Sequence, residues 1–225
     1  MLPDVCASFE LESHPSVAVY TPALLAVYDT LVLGLNSRLL WRCPKRRGVE
    51  FYNRHVGARH LDIGVGSGYF LDRCRFPVPD PQITLLDLSA VCLAHVARRL
   101  ARYSPETRRA SVLDETLDLG EARFDSIALS GVLPCLPATM NQKTAALSRL
   151  RPYLADNGVL FGSTILGRGV RHNGLARRVI AAYNRRGIFT NLDDDPEGLE
   201  QGLAAGFADV DIQIEGSATM FTARP

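Results

Sequence analysis

One stretch limits what this chain can fold into more than any other. His60, Leu61, Asp62 and Ile63 run into Gly64, Gly66 and Gly68, spaced by Val65 and Ser67, and then into Tyr69 and Phe70. The short apolar run over 59–63 reads as a strand, and the pattern over 67–74 as a helix. Strand, glycine turn and helix form the setting in which a glycine loop carries meaning. The glycines let the backbone turn tightly and come close to a ligand. The helix start behind them offers unpaired N–H groups to a carboxylate or phosphate.

The same alternation continues downstream. Strands are expected at 82–88, 109–113, 124–129 and 159–165, and helices at 90–103 and 140–150. Ser89 caps the first of these helices and Pro152 stops the second. Strands alternating with helices over about a hundred residues give a parallel α/β sheet. The tail differs. Helices are expected at 175–186 and 196–205, the second opened by Asp195 and Pro196. Two strands at 210–214 and 218–223 then flank Glu215, Gly216 and Ser217, which is hairpin spacing. An antiparallel pair therefore closes a parallel sheet. Upstream, residues 1–21 read as an arm. Thr21 and Pro22 open a helix that is apolar nearly all round from Ala23 to Leu33, so it should be buried or cover something apolar. A second helix is expected over 46–55.

Composition narrows the function. The chain has 225 residues, 47% hydrophobic and 22% charged, which suits one compact domain, or one domain with a cap. The net charge of +1 provides no field to draw in nucleic acid or an acidic membrane. Arg171, Arg178 and Arg185 share a helix face, and a solvated face explains them. Five cysteines without a C-x-x-C pair form neither a zinc site nor a disulfide framework. No metal is expected. Asp4 and Glu10 near the start argue against a secretory signal, and the longest apolar stretch, 22–35, is too short to span a membrane and contains Asp29. A soluble, cytoplasmic protein is expected.

The glycine loop has an acidic companion. The second strand ends at Asp87, about 20 residues on, where a carboxylate can accept from two ribose hydroxyls. A nicotinamide-binding G-x-G-x-x-G would need glycine at position 69, which is Tyr69. The spacing D-x-G-x-G-x-G, with Asp87, the Phe124, Asp125, Ser126 strand start, the run from Leu150 to Gly158 and the terminal hairpin, resembles the class I methyltransferases that use S-adenosylmethionine. The likeness covers residues 59–165. It implies a Rossmann-like seven-stranded sheet in the order 3-2-1-4-5-7-6, strand 7 antiparallel. It divides the chain into an N-terminal arm and helical cap (1–57) and a cofactor-binding domain (58–225), with a cap insertion at about 168–206. Trp41 to Pro44, Gly68 to Phe76 and Tyr183 to Phe189 also resemble small-molecule methyltransferases of bacterial and fungal secondary metabolism.

The resemblance assigns cofactor roles residue by residue. Asp62 lies near the amino group of the methionine moiety, and Gly64, Gly66 and Gly68 wrap methionine and ribose. Asp87 takes the ribose hydroxyls, and Leu88 packs on adenine. Asp114 reaches the adenine amino group, with Asp118 competing for that role. Ser130 and Gly131 lie beneath the sulfonium. Methyl transfer to a small organic metabolite then needs alignment above all, since holding reactants in line supplies roughly 7–11 kcal/mol of the barrier. Two other readings stand beside it: a non-catalytic S-adenosylmethionine-binding partner, and an RNA or protein methyltransferase. Pro134 stands where many small-molecule relatives carry a histidine after the fourth strand, so any base must come from elsewhere. Tyr28 on the apolar helix and His172 beyond the fifth strand are the candidates. Asp29 is expected to face water.

Overall fold

The computed structural model describes residues 14–30, 33–34 and 37–225. Most of the expected arm, including Cys6, and residues 31 and 32 of the apolar helix lie outside the described residues.

The expected elements form, with shifts at their ends. Helix α1 (Pro22–Thr30) begins as expected, with Thr21 Oγ1 accepting from the Leu24 N–H at 3.2 Å. Helix α2 (Lys45–His55) follows and precedes strand β1 (Arg59–Ile63). Helix α3 (Tyr69–Arg73), strand β2 (Gln82–Asp87) and helix α4 (Ala90–Arg99) come next. Strands β3 (Glu106–Arg109) and β4 (Phe124–Ser130) lead to helix α5 (Met140–Ser148) and strand β5 (Leu154–Thr164). Helices α6 (Gly174–Arg185) and α7 (Pro196–Ala204) then precede the hairpin of β6 (Asp209–Glu215) and β7 (Ala218–Arg224).

The seven strands lie in the order β3-β2-β1-β4-β5-β7-β6. Strands β1 to β5 pair in parallel, and β7 runs antiparallel to both β5 and β6. This is the mixed Rossmann-like sheet that the resemblance implied. Successive side chains on a strand point to opposite faces, and the inner strands are buried on both. Leu61, Ile63, Ile127 and Leu129 join α5 and α7 residues such as Leu147 and Leu203 on one face. Leu85, Ala128 and Phe161 meet Phe51 and Tyr52 of α2 and Val96 of α4 on the other.

Strand β3 is the main departure. It was expected over 109–113 and forms over Glu106–Arg109, with all four residues exposed. An edge strand needs only backbone pairing with its single neighbour. Here the register runs from Thr84 opposite Glu106 to Asp87 opposite Arg109. The apolar Val112 that suggested a strand instead leaves the sheet and turns into the core, 4% exposed.

Candidate active site

A cavity of about 460 Å³ opens at the carboxyl ends of β1, β2 and β4, the place where open parallel sheets bind ligands. Asp62, Gly64, Gly66, Gly68, Asp87, Leu88 and Ser130 all line it. The glycine loop adopts the left-handed backbone at all three glycines, with φ of 67°, 53° and 70°. Two of them are fixed by packing. A Cβ on Gly64 would strike Val132 at 2.3 Å, and one on Gly68 would strike Val96 at 2.7 Å. Gly66 differs, because a Cβ there would meet nothing within 4 Å. Its Cα faces open space in the cavity, a cradle that a side chain would fill.

Two carboxylates flank this loop. Asp62 is buried and accepts from Tyr52 Oη at 2.9 Å, with His60 Nε2 at 3.4 Å. His60 is also held by Ser126 Oγ, 2.7 Å from its Nδ1, and is a satisfied core histidine. Burial beside Asp62 holds the Tyr52 phenol well above its ordinary range, so it stays a donor. Asp87 accepts from the Ser89 N–H at 2.8 Å. Burial pushes its carboxyl up to about 6, opposed by backbone N–H groups of Ser89, Gly66 and Val65. An acidic group desolvated without a compensating cation is poised to accept a ligand's hydroxyl donors.

The rest of the cavity is largely apolar and aromatic, with Lys45 and Arg186 among the lining residues. Tyr20 and Tyr28 face each other with ring centroids 5.9 Å apart, and Trp41, Tyr183, Ile188 and Phe189 contribute to the lining. Burial pushes Tyr28 up to about 12 and the Cys135 thiol up to about 12. Both therefore stay protonated at neutral pH. Tyr28 can donate a hydrogen bond there. The segment bearing Ile188 and Phe189 is fixed from behind. The fully buried Lys143 of α5 donates to Thr190 O at 2.5 Å and pairs with Asp194 at 2.6 Å.

Three expectations do not match the placement of the residues. His172 lies outside this cavity. Its Nε2 donates to Leu166 O at 2.7 Å, and its ring packs edge-on against Trp41. Its Nδ1 is buried without a partner among the described residues. Asp114 turns away to cap its own loop, accepting from Thr116 N at 2.9 Å and Thr116 Oγ1 at 2.7 Å. Asp118 does the same for Gly120 N. Ser111, Val112 and Leu113 line the cavity at that point instead. Asp29 is only partly open to water. It accepts from Ser67 Oγ at 2.6 Å and from Arg99 Nη1 at 2.7 Å.

Two lining residues escaped the sequence reading. Tyr52 gave no signal beyond an aromatic pair on an amphipathic helix, and its bond to Asp62 depends on tertiary packing. His14 is the one imidazole among the described lining residues. Its Nδ1 lies 2.8 Å from Ser16 Oγ and accepts from the Ser16 N–H at 3.3 Å, capping the short turn Pro15–Ala18. Nothing in the sequence around His14 signals that this turn reaches the cavity.

Residues 61–160 match the family described as "Methyltransferase domain". Methyltransferase verB of Penicillium polonicum is 40% identical over 224 residues, covering 94% of this chain and 98% of the relative. Demethylluteothin O-methyltransferase of Streptomyces thioluteus is 38% identical over 206 residues, covering 92% and 89%. The solved DhpI–SAH complex shares the fold, with TM-score 0.65 at 18% identity over 96% of each chain. The cavity fits the cofactor of such enzymes. Gly66 leaves the space for it, and Asp87 supplies an acceptor near neutral pH. The chain belongs to the S-adenosylmethionine-dependent methyltransferases.

Proposed function

We propose that the protein methylates a hydroxyl group of a small, largely apolar metabolite of secondary metabolism. The observation that carries this reading is the single cavity running from the Gly66 cradle to the aromatic wall of Tyr28, Tyr183 and Phe189. Named relatives that act as O-methyltransferases support the choice of oxygen. The aromatic, weakly polar wall supports an apolar acceptor rather than nucleic acid, and we place the activity in the cytoplasm.

In this reading Asp87 holds the ribose hydroxyls, Leu88 packs on adenine, and Asp62 orients the methionine amino group. The three glycines let the backbone close around the chain between them, and Ser130 and Gly131 lie below the reacting centre. Asp114 has no role in it. The N-terminal helices, α6 and the segment to Phe189 cap the acceptor, whereas α7, expected in the same cap, packs with α5 against the sheet and takes no part in it. When bound, S-adenosylmethionine supplies an electrophilic methyl group on a cationic sulfur. The protein's part is to align the acceptor and exclude water. We assign proton removal to His14 acting through Ser16. Because the Ser16 N–H donates to Nδ1, that nitrogen carries the lone pair, and the Ser16 hydroxyl can pass it a proton taken from the acceptor.

The test is incubation with the cofactor and a panel of hydroxylated aromatic metabolites, followed by mass spectrometry for the gain of one methylene. The reading predicts products whose new methyl sits on oxygen. It also predicts that His14→Gln lowers kcat by about 10²–10⁴-fold without changing cofactor affinity. Methylation at nitrogen or carbon would overturn the assignment of oxygen, and an unchanged kcat would overturn that of His14.

A further inference from the structure

Helix α1 carries a single charged residue, Asp29, and that carboxylate bonds to two other elements. Its Oδ1 accepts from Ser67 Oγ of the glycine loop at 2.6 Å, and its Oδ2 from Arg99 of α4 at 2.7 Å. Arg99 also donates to Ser67 O at 3.0 Å and pairs with Asp72 of α3 at 3.1 Å. The Asp29 carbonyl accepts from Lys45 Nζ, at the start of α2, at 3.2 Å. Both carboxylate and guanidinium are shielded, 28% and 18% exposed. Charge-assisted bonds in such a setting are stronger than neutral ones.

The apolar attachment of the same helix is slight. Leu25 is its one buried hydrophobic residue among those described, and Val27 is 43% exposed. Yet Leu24 and Tyr28 of α1 line the cavity. A helix that roofs the site is therefore held down more by one polar cluster than by burial of its apolar face. A ligand seated against the glycine loop cannot leave past α1 until that cluster opens.

We propose that Asp29 is a positioning residue that clamps α1 onto the glycine loop, so that opening of its contacts with Ser67 and Arg99 sets the rate of cofactor exchange. The inference rests on placing the cofactor against that loop, so its test has one arm with the cofactor and one without. Asp29→Asn keeps the volume and an acceptor for Ser67 but removes the charge facing Arg99. Asp29→Ala removes both.

Stopped-flow binding of S-adenosylhomocysteine, followed by the fluorescence of Trp41, the chain's only tryptophan, gives the two rates. A loosened clamp raises kon and koff together, each by about tenfold, with Kd shifting less than threefold. Damage to the binding site itself raises koff alone. In the free protein, amide exchange over residues 22–30 accelerates by a similar factor while β1 and β4 are unchanged. Unchanged exchange over 22–30 in both variants, or koff rising alone, would overturn the proposal.

Discussion

Substituting Asp87 by asparagine should move cofactor affinity and protein stability in opposite directions. The affinity argument starts from chemistry that the amide cannot reproduce. A hydrogen bond to a charged partner contributes about 1.5–3 kcal/mol, so its loss weakens S-adenosylmethionine binding by roughly 10- to 150-fold. The stability argument starts from burial, which lifts the Asp87 carboxyl from 3.8 to about 6. A carboxyl raised in the folded state holds its proton more tightly there than in the unfolded chain. Stability contributed by this group is then full below the unfolded value and is lost as pH rises through about 6. At neutral pH the ionised form thus costs the free protein up to about 3 kcal/mol. Asparagine removes that cost while its side-chain oxygen still accepts from the Ser89 N–H. Calorimetric titration across pH 5–8 and thermal melts of the free protein read both effects. Wild-type affinity should fall below about pH 6 as Asp87 takes up its proton, and the variant should show no such dependence. Affinity within threefold of wild type at pH 7.5, or a lowered Tm in the variant, would refute the reasoning.

Gly66→Ala and Gly68→Ala separate binding from folding. Both pay the left-handed backbone cost of about 1–2 kcal/mol. Gly68→Ala also drives a methyl into Val96 and should lose roughly 1–3 kcal/mol more in urea unfolding. Gly66→Ala meets no protein atom, so its effect should appear chiefly as weaker cofactor binding in calorimetry. Lys143→Met strands the Asp194 carboxylate and should cost about 3–5 kcal/mol of stability, most of it recovered in the double variant with Asp194→Leu. Tyr52→Phe removes the donor to buried Asp62 and should cost about 1–3 kcal/mol by chemical denaturation.

The sheet could be read from the sequence because its inner strands are buried on both faces and bounded by sharp signals. Ser89 and Asp195 cap helices as their positions suggested, accepting from Cys92 N and Gly198 N. The pattern misled where burial stops. Strand β3 has no inward face to mark it, so the apolar pattern points instead to the residues just after it. The glycine loop and Asp87, which line the cavity, were legible because they are set by local geometry and by a fixed strand spacing. The contacts of Tyr52 and Asp29 were not, because Asp62 and Arg99 reach them from other elements, and the presence of His14 in the cavity wall depends on how its turn packs. No periodicity reports such a contact. Asp114 and Asp118 both looked available as ligands, and both turned out to satisfy their own loops, a habit of short acidic side chains in turns.

The turn between β6 and β7 bears on when the wall of the cavity is assembled. Ser217 donates its N–H to Trp41 O at 2.7 Å, and its hydroxyl reaches the same carbonyl at 3.0 Å. A Cβ on Gly216 would collide with Arg42 O at 2.4 Å, so the turn seats directly on this stretch. Trp41, a wall residue of the cavity, therefore takes its support from a turn 176 residues further along the chain. A chain with a finished glycine loop would still lack a seated Trp41 until that hairpin has folded against it.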